Sequence, residues 1–363
     1  MAIFKDFNIQ PETSLESSDV VTNVKDTVSS GMWANGAGTI TAFYTSSTQS
    51  GSSAAYYLDV YSANPQSDST AKPQFSIAYG HLHGSGSAGA VGTDGNRASA
   101  AIYRQLTNTL LGPTETQFTF AGTGGNITPK YVYAISVARQ QLREKMDPGN
   151  WELHISKSNG AAGATKLKFI DDSGATTNPT MNQGGRVFNI VSGSIASGAA
   201  VTKTAAASQP GGGYGLFYPD LGILIFNGPV LSAATSASLS PSTTSNLEGG
   251  NNGKFYDSIN RGAKFQALRG EDKFQARREE VITSQHYFCR VPNKEFNFSS
   301  NPTFTSGSNG DFTVSTFFKN PKTFITQVGL YNDNNELLAV AKLSKPLLKN
   351  YSKEAIIKVK LDF

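Results

Sequence analysis

Phe324-Ile-Thr-Gln-Val-Gly-Leu-Tyr331, Asn332-Asp-Asn-Asn335 and Glu336-Leu-Leu-Ala-Val-Ala-Lys-Leu343 decide the fold class. The first and last strings are rich in β-branched and apolar residues and read as strands. The Asn/Asp cluster between them is a turn, because these side chains bond their own backbone and tolerate positive φ. After Pro346, Ile357, Val359, Leu361 and Phe363 alternate with Lys358, Lys360 and Asp362. A period of two marks a strand with one buried and one wet face. The pattern predicts that the four apolar residues face a core, that Lys358 and Lys360 face solvent, and that this strand pairs with 324–331 or 336–343. No catalytic motif stands nearby, so this region reads as built to hold a shape.

Composition extends that reading outward. A chain of 363 residues has room for two or three domains at ~100–200 residues each. Hydrophobic residues are 38% and charged residues only 16%, yet there are 22 Phe and 14 Tyr to fill several β cores. With abundant Gly, Ser, Thr and Asn, this balance suits an all-β protein better than a helical enzyme. The net charge of +4 is too small to argue for nucleic acid. A single cysteine, Cys289, excludes an internal disulfide framework and a multi-cysteine zinc site. The N-terminus lacks the apolar run of a signal peptide, and no stretch reaches the ~20 apolar residues of a membrane span. The expectation is synthesis in a cytoplasm and a thiol that stays reduced until assembly or release.

Texture divides the chain into four. Residues 1–70 read as an N-terminal arm or irregular polar region, with Trp33, Phe43 and Tyr44 as isolated anchors. Residues 71–230 read as a β-rich domain with one helix. There Arg97 to Leu111 places Ile102, Leu106 and Leu110 on one face, stopped by Gly112-Pro113. Strands follow at 131–137, 151–155, 166–170, 187–191, 214–218 and 221–226, a spacing that predicts an antiparallel sandwich or barrel. Residues 231–254 are Ser, Thr, Ala, Gly and Asn with Glu248 as the one carboxylate before the next domain, and read as a surface loop or linker. Residues 255–363 read as a C-terminal β-sandwich-like domain, whose strands follow a nine-residue near-repeat, Lys264 to Asp272 and Lys273 to Val281. The fold class is therefore mainly β, antiparallel sheets or sandwiches with one short helical segment near 97–111.

Each possible chemistry has a duller competitor. Gly84-Ser-Gly-Ser-Ala-Gly89 matches G-x-G-x-x-G, but the next helix starts too late and no βαβ series follows, so a surface loop is the default. His81 and His83 would share one side of a strand, as a metal shared across a symmetry axis requires; surface histidines are the simpler reading. Cys289 and His286 are three apart and would face opposite sides, which leaves a buried, inert thiol. Asp171-Asp172 and Glu279-Glu280 diverge as strand neighbours and read as solvated, not as a glycosidase pair. Arg261 to Arg278 holds six Lys or Arg with Phe265 and Phe274 interleaved, and reads as a salt-bridged face before it reads as a nucleic-acid patch. No catalytic, cofactor-binding or metal residue is assigned.

Longer strings carry a resemblance. Ala98-Ser-Ala-Ala-Ile-Tyr-Arg-Gln-Leu-Thr-Asn-Thr-Leu-Leu111, Gln117-Phe-Thr-Phe120 and Arg143-Glu-Lys-Met-Asp-Pro-Gly-Asn-Trp-Glu-Leu153 are similar to a virion structural protein of T-even-like marine myophages, notably cyanophages. Tyr214-Gly-Leu-Phe-Tyr-Pro-Asp-Leu-Gly222, Ser284-Gln-His-Tyr-Phe-Cys-Arg290 and Asn297-Phe-Ser-Ser-Asn-Pro-Thr303 extend it over roughly residues 80 to 363. Ile325 to Asn332 and Leu337 to Lys342 resemble both the end of a T-even-like baseplate wedge subunit, which forms a homodimer in each wedge, and a pattern found in many tail-fibre proteins.

The resemblance implies a static part of a contractile tail, a baseplate (wedge) component with no catalytic residues. It would bind other tail proteins and copies of itself, pass on the baseplate's change of shape, and reside in the virion after synthesis in the host cytoplasm. No cofactor and no nucleic acid are expected, and contact with the host surface would be indirect. The alternative is a tail-fibre or receptor/glycan-binding module using exposed aromatics such as Trp33 or Tyr44. An enzyme acting on envelope polymers lacks an acid–base constellation.

Overall fold

The computed structural model describes residues 20–45, 57–86, 97–121, 125–156, 166–175, 179–197, 213–235, 239–241, 248–265, 274–299 and 302–363. Strands β1 (Val20–Gly31), β2 (Thr39–Ile40), β3 (Tyr44–Thr45), β4 (Leu58–Tyr61) and β5 (Pro73–His81) precede helix α1 (Ala98–Leu110). β6 (Tyr131–Val137), the short α2 (Arg139–Leu142), β7 (Lys145–Ser156), β8 (Lys166–Asp171), β9 (Thr180–Asn182), β10 (Gly185–Ser192), β11 (Gly215–Tyr218) and β12 (Ile223–Asn227) follow. After α3 (Gly228–Ala234) and α4 (Glu248–Phe265) come β13 (Phe274–Val291), β14 (Thr305–Ser306), β15 (Asp311–Phe312), β16 (Thr323–Tyr331), β17 (Leu337–Lys349) and β18 (Ala355–Asp362). The protein is mainly β, its strand pairings are antiparallel wherever a register is resolved, and the helix expected near 97–111 is α1.

Two compact units emerge: Val28–Glu280, and Met1–Thr27 with Val281–Phe363. The chain passes the division within β1 and again within β13. The boundary expected at 231–254 is therefore not the one the fold uses.

In Val28–Glu280 the strands run β13-β7-β8-β10-β11-β12-β6-β5-β4-β3 in one sheet. Alternate residues feed two cores. Tyr133, Ile135 and Val137 of β6 join Leu224 and Phe226 of β12 on one face, while Val132, Ala134 and Ile225 point to the other. The sheet rolls over the first face: β13 and β5 are eight strands apart in the order, counting both, yet the Phe75 and Phe274 rings lie 5.3 Å apart. The expected antiparallel barrel thus has a physical counterpart, a rolled sheet filled by Trp33, Phe75, Trp151, Phe169, Phe217 and Phe226. At fifteen or more such fully buried side chains, each worth ~1.5–3 kcal/mol, this core dominates the favourable side of folding. On the outer face Tyr103 and Leu110 of α1 pack with Phe118 and Phe120. Gly80 permits this approach, since a Cβ there would sit 3.2 Å from the Tyr103 backbone.

Several sequence expectations need correction here. Residues 1–70 are not simply irregular: the described part holds four strands, and Met32, Trp33, Ile40, Phe43, Leu58 and Val60 are buried; the remainder, 1–19 and 46–56, lies outside the described residues. The described part of 231–254 is packed, not a surface linker. Leu231, Thr235, Leu239 and Asn251 are fully buried, and the Tyr133 hydroxyl donates to the Leu239 carbonyl at 2.8 Å. Four helices, not one, occur among the described residues. α4 sends Phe255 against Tyr133 and Phe226, with ring centroids 5.0 and 5.6 Å apart. In the near-repeat, 266–273 lies outside the described residues and 274–281 is strand.

In the other unit, β18 pairs with β13, Tyr287 opposite Val359 and Cys289 opposite Ile357. It does not pair with the hairpin strands as expected. Ile357 and Val359 are buried and Lys358 and Lys360 exposed, as the alternation predicts, but Phe363 is 71% exposed. β16 and β17 form a separate two-stranded sheet, as do β14 and β15. Over 311–318 the strand is confined to Asp311–Phe312.

Candidate interaction surface

The residues singled out for chemistry serve mainly as structure. His81 ends β5 and is buried; its Nδ1 accepts from the backbone N–H groups of His83 (3.1 Å) and Ser85 (3.2 Å). Its ring stacks on Tyr131, 6.4 Å away and 6° from parallel. Burial, then the neighbouring His83 and Lys130, pushes its pKa down to about 4, so it is a neutral acceptor. His83 lies past the strand end and is exposed, so the two do not share a strand face. Among the described residues no group of three or more His, Cys, Asp or Glu is placed to hold a metal ion.

In the glycine loop Gly84 and Gly86 adopt φ of +75° and +80°, while 87–96 lies outside the described residues. The buried Asn251 amide donates to the Gly86 carbonyl at 2.8 Å, which ties this end of the loop to α4. Cys289 is half-buried rather than buried, and shares β13 with His286 on the opposite side.

Of the acidic pairs, Asp171-Asp172 is buried rather than solvated, while Glu279-Glu280 is partly exposed. Asp171 and Asp172 are 3% and 0% exposed. Asp171 accepts from the Gly149 and Ser173 N–H groups at 2.8 and 2.9 Å, and burial raises its pKa above the usual carboxylate range. Asp172 takes both the N–H and the side-chain amide of Asn189, each at 2.8 Å. Glu279 pairs with Lys145 at 3.3 Å and Glu280 with Arg278 at 2.9 Å and Arg143 at 3.4 Å. The basic stretch is thus turned inward at Arg278, which also donates to Ser30 Oγ at 2.8 Å.

Sequence alternation also missed a buried polar pair. Along β7, Glu152 and His154 alternate with Trp151, Leu153 and Ile155, yet both are 2% exposed and bonded to each other, and Glu152 accepts from the Ile195 N–H at 2.8 Å. The chain at 195–197 covers this face; alternation reports which residues share a face and not what lies over it. Trp33 is likewise no platform for a ligand: it is 1% exposed and its indole donates to the Phe274 carbonyl at 2.9 Å. Tyr44 is 39% exposed.

What the surface does offer is the β16–β17 hairpin. Its register sets Gln327 opposite Lys342 and Gly329 opposite Val340. Those residues, with Tyr331 and Leu338, form one exposed face. Leu338 is 67% and Val340 52% exposed, and Phe324 and Leu337 add 62% and 53%. Tyr331 folds toward Gly329, where a Cβ would meet its ring at 2.9 Å. The turn holds itself: Asn332 Oδ1 accepts from the Asn334 and Glu336 N–H groups at 3.0 and 2.8 Å. A two-stranded sheet in water is marginal by itself, and contiguous exposed apolar residues mark interaction sites. Charge is divided along it, with Asp333 and Glu336 at the tip and Lys322 and Lys345 at the root.

The chain matches no protein-family model, no curated protein and no solved structure.

Proposed function

We propose that this chain is a non-enzymatic structural subunit of a contractile phage tail, a baseplate component that binds neighbouring tail proteins and copies of itself. The observation that carries the reading is the exposed apolar face of the β16–β17 hairpin, Tyr331, Leu338 and Val340 between Gln327 and Lys342. Such a face suits assembly into a larger particle, where an apolar centre and a polar rim are the ordinary anatomy of an interface. The buried His81, Glu152, His154, Asp171 and Asp172 are each bonded to neighbouring groups of the fold, which fits a structural role for them. The string similarity to T-even-like virion proteins supplies the tail context.

The test is position. Purified particles carrying a small epitope tag on the chain should show it at the baseplate by labelled electron microscopy. A tag found on the capsid, or absent from finished particles, would end this reading. A second reading, a glycan-binding module, rests on Tyr44 opposite Tyr61, with exposed Tyr57 and the Asp59 carboxylate nearby. Aromatic faces beside a carboxylate suit a sugar ring. Retention of the isolated chain on host glycans, lost in Tyr44→Ala, would favour it over a purely structural role.

A further inference from the structure

Lys349, the last residue of β17, is fully buried. Its Nζ donates to the Asn293 carbonyl at 2.9 Å, Asn297 Oδ1 at 3.1 Å and the Asn350 carbonyl at 3.1 Å. All three acceptors are neutral. Glu295 and Glu354 act on the amine only from a distance, and Glu354 is itself paired with Arg290. A buried ammonium without a contacting counter-ion is unfavourable, and burial lowers the Lys349 pKa accordingly. The result is a larger share of neutral amine, the nucleophilic form.

The amine faces a carboxamide. Asn297 is buried, and its Nδ2 donates to the Asn293 carbonyl at 2.7 Å. The attacking and departing nitrogens therefore converge on one oxygen. Phe296, just before it, takes a φ of +55°, rare for an aromatic residue, and its carbonyl accepts from Thr323 Oγ1 at 2.6 Å. That turn aims Asn297 at the end of β17.

We propose that Lys349 and Asn297 join in an intramolecular isopeptide bond. Neutral Nζ adds to Cγ of Asn297, and a new C–N bond forms. Nζ gives a proton to the departing Nδ2, the Cγ–Nδ2 bond breaks, and one ammonia leaves. The product is a secondary amide; nothing is oxidised or reduced and no co-reactant is needed. The bond closes the chain between two residues 52 apart, and the β16–β17 hairpin lies inside that loop. It removes the buried charge and ties the exposed hairpin to the body of its unit. The inference is independent of the tail assignment.

Intact-mass measurement of the folded full-length chain decides it. The expected result is a deficit of one ammonia, with trypsin releasing a branched peptide that joins Glu295–Lys319 to Leu343–Lys353. A full, unmodified mass overturns the proposal. So does a deficit that persists in both Lys349→Arg and Asn297→Ala, because ammonia would then come from another site, such as an Asn-Gly step. The wild-type branched peptide decides the matter even where a variant does not fold.

Discussion

Consider Leu338→Thr combined with Val340→Thr. Threonine, a β-branched strand former, stands at both places, so the hairpin itself should persist. In the free chain the two side chains are 67% and 52% exposed and have little burial to lose. Surface changes of this kind fall within ~0.5 kcal/mol, so the melting temperature should hardly move. On a partner the exposed two-thirds of the leucine and half of the valine would be covered. At ~1.5–3 kcal/mol for a fully buried aliphatic side chain, that amounts to about 2–3.5 kcal/mol. With ~1.4 kcal/mol per factor of ten, the variant should bind ~30- to 300-fold more weakly. The assay is competition: tagged variant and wild-type chain are co-expressed, and their ratio in finished particles is compared with their ratio in the soluble pool. Equal incorporation refutes the interface. A melting temperature lower by several degrees refutes it differently, since the face would then be packed within the chain.

Three further outcomes are expected. His81 has a folded pKa depressed from 6.5 to about 4, so its contribution is present above pH 6.5 and lost as pH falls toward 4; at ~1.4 kcal/mol per unit this is on the order of 3.5 kcal/mol. His81→Asn keeps an acceptor where Nδ1 stood and should flatten denaturation midpoints across that window; an unchanged slope would show that another group titrates. Removing 355–363 takes away Ile357 and Val359 and uncovers the β13 edge, which should cost ~3–6 kcal/mol and cause aggregation in light scattering, whereas Phe363→Ser should be silent in the same measurement. Leu239→Ala should lower stability by ~2–5 kcal/mol in chemical denaturation, because the residue is fully buried beneath the Tyr133 hydroxyl; a near-zero change would restore the surface-loop reading of 231–254.

The parts of the fold legible in the sequence were the local ones. The Asn-rich turn, the alternation at Ile357 and Val359, and the i, i+4 stripe of α1 depend on neighbours in the chain. The pairing of β18 with β13 does not, and no periodicity in 355–363 names a partner about 70 residues away. α4 was hidden by composition. Gly249, Gly250, Gly253 and Gly262 oppose a helix, and only tertiary packing of Phe255 and Ile259 at i, i+4 overrides them. Of the interaction surface, the sequence displayed the hairpin but not its exposure, since the same alternating string would serve a buried sheet. Asp171 and Asp172 depart from their solvated reading for the converse reason: their polarity reads as wet, while donors such as the Gly149 and Asn189 N–H groups meet them inside.

The bond from the Trp33 indole to the Phe274 carbonyl spans 241 residues of chain. During synthesis at ~5–20 residues per second, Trp33 and Phe75 leave the ribosome ~10–50 seconds before their common partner exists. Through that interval the strands near the N-terminus carry large aromatic rings with nothing to close over them. Folding of Val28–Glu280 is therefore a late, non-local event, in the slow class of topologies. Supply of competent subunits to any assembly would then follow the time for the sheet to roll shut, with holding chaperones and a lower growth temperature raising the yield.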